Sequence, residues 1–149
     1  MKNKEKVKEE IWCQSLINGH TLQYRAHGGS MKPFIRSNSN LTIKPAEKIS
    51  IGDIIVFQSK KGLVTHRVVK KKRHEDHLLI TKGDNSETTD GLVKRSQVVG
   101  KVVKIEYEGN IIELASPLWR SLNYVIALLS PFYGHLMFVL RKLKRLGCK

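Results

Sequence analysis

The sequence predicts a mainly β fold: a curled antiparallel or barrel-like sheet, with a short helix before it and an amphipathic helical segment after it. Three observations carry that prediction. Between Thr21 and about residue 115, Val, Ile, Leu, Phe and Thr come in short runs broken by turn residues. No helical period separates those runs, which argues against alternating strand and helix units. Helical spacing is confined to the two ends of the chain. At 149 residues, with 40% hydrophobic and 27% charged residues, the chain has the size and make-up of one globular domain. We divide it into an N-terminal amphipathic helix (1–20), a β-rich unit (21–115) and a helical tail (116–149).

In chain order, Val7, Ile11, Trp12, Leu16 and Ile17 recur at helical spacing, and Asn18-Gly19 supplies the stop. Strands are expected at Gln23–Ala26, Leu41–Lys44, Asp53–Ser59, Leu63–Lys70, His77–Thr81, Val98–Tyr107 and Asn110–Glu113. Lys60-Lys61-Gly62 and Glu108-Gly109-Asn110 read as hairpin-like turns between them. From Leu118 onward an apolar stripe runs through Leu122, Val125, Leu129, Phe132, Leu136, Leu140 and Leu143. Polar residues including Arg120, Asn123, Ser130 and His135 interrupt the other faces, and Pro131 is expected to kink or split the helix. Three readings fit this tail: a helix lying in a membrane interface, a kinked transmembrane span over Leu122–Leu140, or a helical lid on the β core. The basic run Arg141–Arg145 that follows suits an anionic membrane surface.

Charge narrows the partners. Twenty-seven Lys and Arg residues against 13 Asp and Glu give +14, concentrated in Lys70–Arg73, Arg141–Arg145 and the first eight residues. Such an excess favours nucleic acid or anionic membrane. With 7% aromatic residues and no regular interleaving of aromatics with Lys or Arg, nothing resembles a stacking platform for single strands, and nucleic acid is the weaker candidate. Cys13 and Cys148 stand near opposite ends in no metal-ligand spacing, so neither a zinc site nor a disulfide framework is indicated, and a reducing compartment fits best. The charged N-terminus is neither a signal peptide nor an apolar anchor.

The residues with chemical promise begin at Gly28-Gly29-Ser30-Met31-Lys32-Pro33-Phe34. Glycine lets the chain bend and another chain approach closely, while Pro33 restrains its neighbour. Ser30 becomes a nucleophile only if a base takes its proton. Of the six histidines, His66 alone is embedded in a strand, Val64-Thr65-His66-Arg67-Val68-Val69. Alternation puts it on the opposite face from Thr65 and Arg67, and neutral imidazole is the natural base near neutral pH. His20 and His27 fall in expected turns, His74 and His77 beside a basic run, and His135 in the tail. A carboxylate to orient the ring could come from Asp84 or Asp90, after the strand Leu79-Ile80-Thr81-Lys82-Gly83-Asp84-Asn85.

Taken together, Gly-Ser-Met-x-Pro at 29–33, Gly-Asp-Ile-Ile-Val-Phe at 52–57, Thr-His-Arg-Val-Val at 65–69, Thr-Lys-Gly-Asp-Asn at 81–85 with a second Asp at 90, and Val-Val-Gly-Lys-Val at 98–102 resemble the signal peptidase I superfamily. The resemblance covers roughly residues 22–107. It is narrower to the branch with a histidine base, as in endoplasmic-reticulum, archaeal and some Gram-positive signal peptidases; the usual bacterial branch and the related self-cleaving repressor proteases carry lysine where this chain has His66.

The resemblance implies a membrane-associated serine endopeptidase acting on signal or leader peptides, at the cytoplasmic membrane of a prokaryote, without a cofactor. It implies Ser30 as nucleophile, His66 as general base and Asp90 as orienter, with Asp84, Met31 and Gly29 in support. The backbone N–H of Ser30 would form part of an oxyanion hole. Two departures stand out. Gly28 occupies a position where the family often has a hydroxyl donor, and the candidate membrane helix follows the catalytic blocks where family members typically have an anchor before them. The alternative function is a non-catalytic basic β module that binds anionic membrane or nucleic acid, with a decayed or self-cleaving site.

Overall fold

A computed structural model describes residues 2–60, 62–72 and 77–146, and the side chains of residues 10–132 within them together with that of Val7. Lys61, Arg73, His74 and Cys148 lie outside the described residues, as do the side chains of His135 and Arg141–Arg145.

The chain runs α1 (Lys2–Ile17), β1 (Leu22–Arg25), β2 (Asn40–Lys44), β3 (Ile54–Ser59), β4 (Gly62–Lys71), β5 (Leu78–Lys82), β6 (Leu92–Lys94), a 3-10 turn at Arg95–Gln97, β7 (Val98–Tyr107), β8 (Asn110–Glu113) and α2 (Pro117–Leu146). The strands form one antiparallel eight-stranded sheet in the order β1-β2-β7-β3-β4-β5-β6, with β8 also on β7. The sheet is open: β1 and β6 stand at its two ends unpaired with each other, so it does not close into a barrel. Ten-residue β7 is the organiser, pairing with β2 along one edge and sharing the other between β3 and β8.

Strand alternation places a core on each side of the sheet. One contains Leu16, Met31, Ile35, Leu41, Ile43, Ile54, Val56, Val102 and Ile105, and the other Ile49, Ile55, Phe57, Val68, Leu79 and Val93. Neighbouring Ile54 and Ile55 serve opposite cores, which is why β3 reads as an unbroken apolar run. The β7–β8 hairpin turns through Glu108 and Gly109, both at positive φ, within the expected Glu108-Gly109-Asn110 turn.

Both terminal helices depart from the pattern expected of them. α1 stops at Ile17, closed by paired hydrogen bonds from Gly19 N–H to Leu16 O and from His20 N–H to Ser15 O. Of its expected apolar stripe, Leu16 is buried and Trp12 half-buried, while Val7, Ile11 and Ile17 are exposed. α2 continues through Pro131 as one helix. It packs on β4, with Asn123 bound to Arg67, and Ala127 and Ser130 are buried with Asn123 on the same side of the helix. The stripe of Leu118, Leu122, Val125, Leu129 and Phe132 points away from the body, with Leu118 77% and Phe132 75% exposed. The helix thus sits on the β core as the lid reading had it, but the side turned inward mixes Asn123 and Ser130 with Ala127 and partly buried Trp119, and the apolar stripe faces out. Among the described residues no helix is long and apolar enough to cross a membrane.

Candidate active site

The loop after β1 presents Ser30. Ala26 and Ser39 bind across its base, from Ala26 N–H to Ser39 O at 2.8 Å and from Asn38 N–H to Ala26 O at 2.8 Å. Gly28 takes a positive φ of 85°, and a tight turn follows, with Lys32 N–H on Gly29 O and Ile35 N–H on Met31 O. Met31 and Ile35 are buried beneath it, so the serine is held on a turn anchored from below. Met31 also lines a cleft of about 370 Å³ between this loop and β4, with Tyr24, Ala26, Ser30, Val64 and His66 among the other walls.

His66 sits opposite Ile55 in the β3–β4 ladder, its ring 6.5 Å from that of Phe57. Its Nε2 lies 3.0 Å from Ser30 Oγ and its Nδ1 2.6 Å from Asp90 Oδ2. Asp90 is fixed at two points: its N–H donates to Thr81 O at 2.9 Å, and its Oδ2 accepts from Thr81 Oγ1 at 2.8 Å. An ionised carboxylate can only accept, so Nδ1 carries the ring proton and Nε2 turns its lone pair to the serine hydroxyl. Residues 30, 66 and 90 therefore form one continuous hydrogen-bonded line. Chemically, such a line can withdraw the hydroxyl proton as Oγ attacks an electrophilic carbon.

Asp84 lies elsewhere. Both its oxygens are taken by Arg67, with Nε on Oδ1 at 2.7 Å and Nη2 on Oδ2 at 2.8 Å. Arg67 has no exposed surface; its Nη1 donates to Gly52 O and Asn123 Oδ1, and its guanidinium lies over the Phe34 ring. The bidentate pairing satisfies a charge that burial alone would make costly. Beside it, burial pushes the Lys82 ammonium below its usual pKa, with the charge of Asp84 pulling the other way. Gly29 offers its carbonyl to Asn85 Nδ2 at 3.2 Å.

Several contributors escaped the reading of individual residues. Thr81 orients Asp90, and Asn85 N–H holds Ser30 O at 2.7 Å. Gly83 passes so close that a Cβ there would stand 2.8 Å from Ser30 O and 2.9 Å from His66 Nε2. Arg67 carried a usable signal, because an arginine inside a Val-rich strand needs a buried acceptor. Asn123 carried none; its partner is 56 residues away. Among the described residues, no group of three or more His, Cys, Asp or Glu side chains is placed to hold a metal ion.

The chain belongs to the Peptidase S24-like family, whose model matches residues 2–103. Within that class it is similar to Signal peptidase I W of Bacillus subtilis (strain 168), 34% identical over 98 residues that make up 62% of this chain and 49% of that protein. It is similar also to the signal peptidase complex catalytic subunits SEC11 of Komagataella phaffii, 35% identical over 71 residues (42% of each chain), and of Ogataea parapolymorpha, 36% identical over 76 residues (42% and 43%). The chain matches about half or less of the length of these relatives.

Proposed function

We propose that this protein is a membrane-associated serine endopeptidase of the histidine-base branch, cleaving signal or leader segments from other polypeptides. The observation that carries the reading is the line from Ser30 Oγ through the His66 ring to Asp90, with contacts of 3.0 and 2.6 Å. Ser30 Oγ attacks the scissile carbonyl while its proton passes to His66 Nε2. The imidazolium, stabilised by Asp90, then gives that proton to the departing amine as the C–N bond breaks. Water attacks the remaining ester, His66 takes a proton from it, and that proton returns to Ser30 Oγ as the acid product leaves. The Ser30 N–H stabilises the tetrahedral oxyanion. The relatives' names support polypeptide substrates bearing signal peptides. Membrane association is supported by the apolar face that α2 turns outward, which suits an interface helix against anionic lipid. In this reading residues 21–115 form the peptidase unit and 116–149 its membrane-facing tail.

The test is a comparison of protein N-termini by mass spectrometry in cells carrying the wild-type protein or Ser30→Ala. Uncut precursors should accumulate in the variant, with the protein still folded and in the membrane fraction. An unchanged set of N-termini would overturn the reading.

A further inference from the structure

The inward face of α2 is chemically odd. A helix carrying Leu118, Leu122, Val125, Leu129 and Phe132 would ordinarily bury them, yet what it buries beside Ala127 is an amide and a hydroxyl residue, with Asn123 6% and Ser130 5% exposed. Each of those two positions meets a buried cation of the β unit. Asn123 Oδ1 accepts from Arg67 Nη1 at 2.7 Å, and the Ser130 carbonyl accepts from Lys82 Nζ at 3.2 Å. Gly52 permits the approach: a Cβ there would stand 2.7 Å from the α2 backbone at Asn123 and Tyr124.

Both cations lead to the same turn. Arg67 grips both oxygens of Asp84, and Lys82 immediately precedes Gly83. The turn at 83–86 holds Ser30 O through Asn85 N–H and passes Gly83 against the His66 ring. Arg67 further lies over Phe34, four residues beyond Ser30. Two tethers from one helix therefore converge on the segment that fixes the serine relative to the imidazole.

We infer that α2 is a clamp on the site and that Asn123 is a positioning residue, holding the 83–86 turn, through Arg67 and Asp84, where Ser30 and His66 meet. This rests on the serine peptidase reading of those two residues. Asn123 never touches the reacting atoms; it acts by completing the coordination of a guanidinium that has no water to turn to.

The experiment compares full-length wild type, Asn123→Ala and Asn123→Asp, the last restoring an acceptor to Arg67. The substrate is a synthetic peptide spanning a cleavage site identified in the Ser30→Ala comparison, and the His66 ring is followed by NMR in parallel. Asn123→Ala should keep KM within about twofold and lose up to about 100-fold in kcat, the scale of a small misplacement of reacting groups. Its His66 ring signals should move, and Asn123→Asp should bring both readouts back. A folded Asn123→Ala with wild-type kcat and unmoved His66 signals overturns the inference. Should that variant fail to fold, Lys82→Met, which removes the other tether, carries the same expectation and the same refutation. If the wild type cleaves nothing that Ser30→Ala spares, the peptidase reading is what fails, and the His66 signals still decide whether the helix reaches the site.

Discussion

Asp84 and Asp90 follow the same strand, six residues apart, and come to opposite ends. Asp84 is buried and locked by both oxygens onto Arg67, with nothing left to offer a reaction. Asp90 stands partly exposed, tied by a threonine hydroxyl and touching an imidazole that itself touches a serine. In the proposed peptidase, burial and strong pairing mark the structural acid, whereas the reactive line would run through the less buried one. A carboxylate paired to a permanently charged guanidinium has a partner of fixed charge; one paired to an imidazole has a partner whose charge changes when the ring takes a proton.

The contrast can be broken by exchange of consequences. Asp90→Ala should lower kcat by about 10,000-fold, the scale seen when a triad carboxylate no longer holds its histidine, while unfolding in urea shifts by only about 1–2 kcal/mol. Asp84→Asn should do the reverse, costing about 3–5 kcal/mol in the same urea titration because Arg67 is left buried without its counter-charge. Kinetics and urea unfolding on both variants give the answer, and activity surviving the Asp90 change would mean that the two acids have been assigned the wrong way round.

The smallest effect sharpens the comparison on the structural side. Burial lowers the Lys82 pKa beneath its usual 10.5, with the charge of Asp84 opposing. In the alkaline window below that value the unfolded chain binds the proton more readily than the native one. Stability should accordingly rise with pH through that window, and the penalty returns as pH falls. Lys82→Met should remove this slope, measured as urea stability of variant against wild type at successive pH values. Parallel curves would show that Lys82 titrates alike in both states.

Much of the sheet was legible because its strands advertise themselves locally. Val98–Tyr107 and Asn110–Glu113 fall where β-branched runs and the Gly-Asn turn put them. Leu92–Lys94 was not foreseen, since a three-residue strand with one buried side chain is defined by its pairing to β5 rather than by its composition. Periodicity found α2 but not which way it faces, because the pattern cannot say whether an apolar stripe meets protein or lipid. Ser30, His66 and Asp90 were separable from other hydroxyls, rings and acids through five ordered blocks taken together. The clamp by Asn123 was illegible for the opposite reason: one amide in a helix gains its meaning from a guanidinium 56 residues earlier in the chain.

The hairpin of β3 and β4 puts imidazole and guanidinium on successive residues, His66 across from Ile55 and Arg67 across from Ile54. Sliding one strand past the other by a single position would present arginine to the serine and thrust histidine toward Asp84. Misregistration in this hairpin would thus part the imidazole from Ser30 and the guanidinium from Asp84 in one step, so the two pairings stand or fall together.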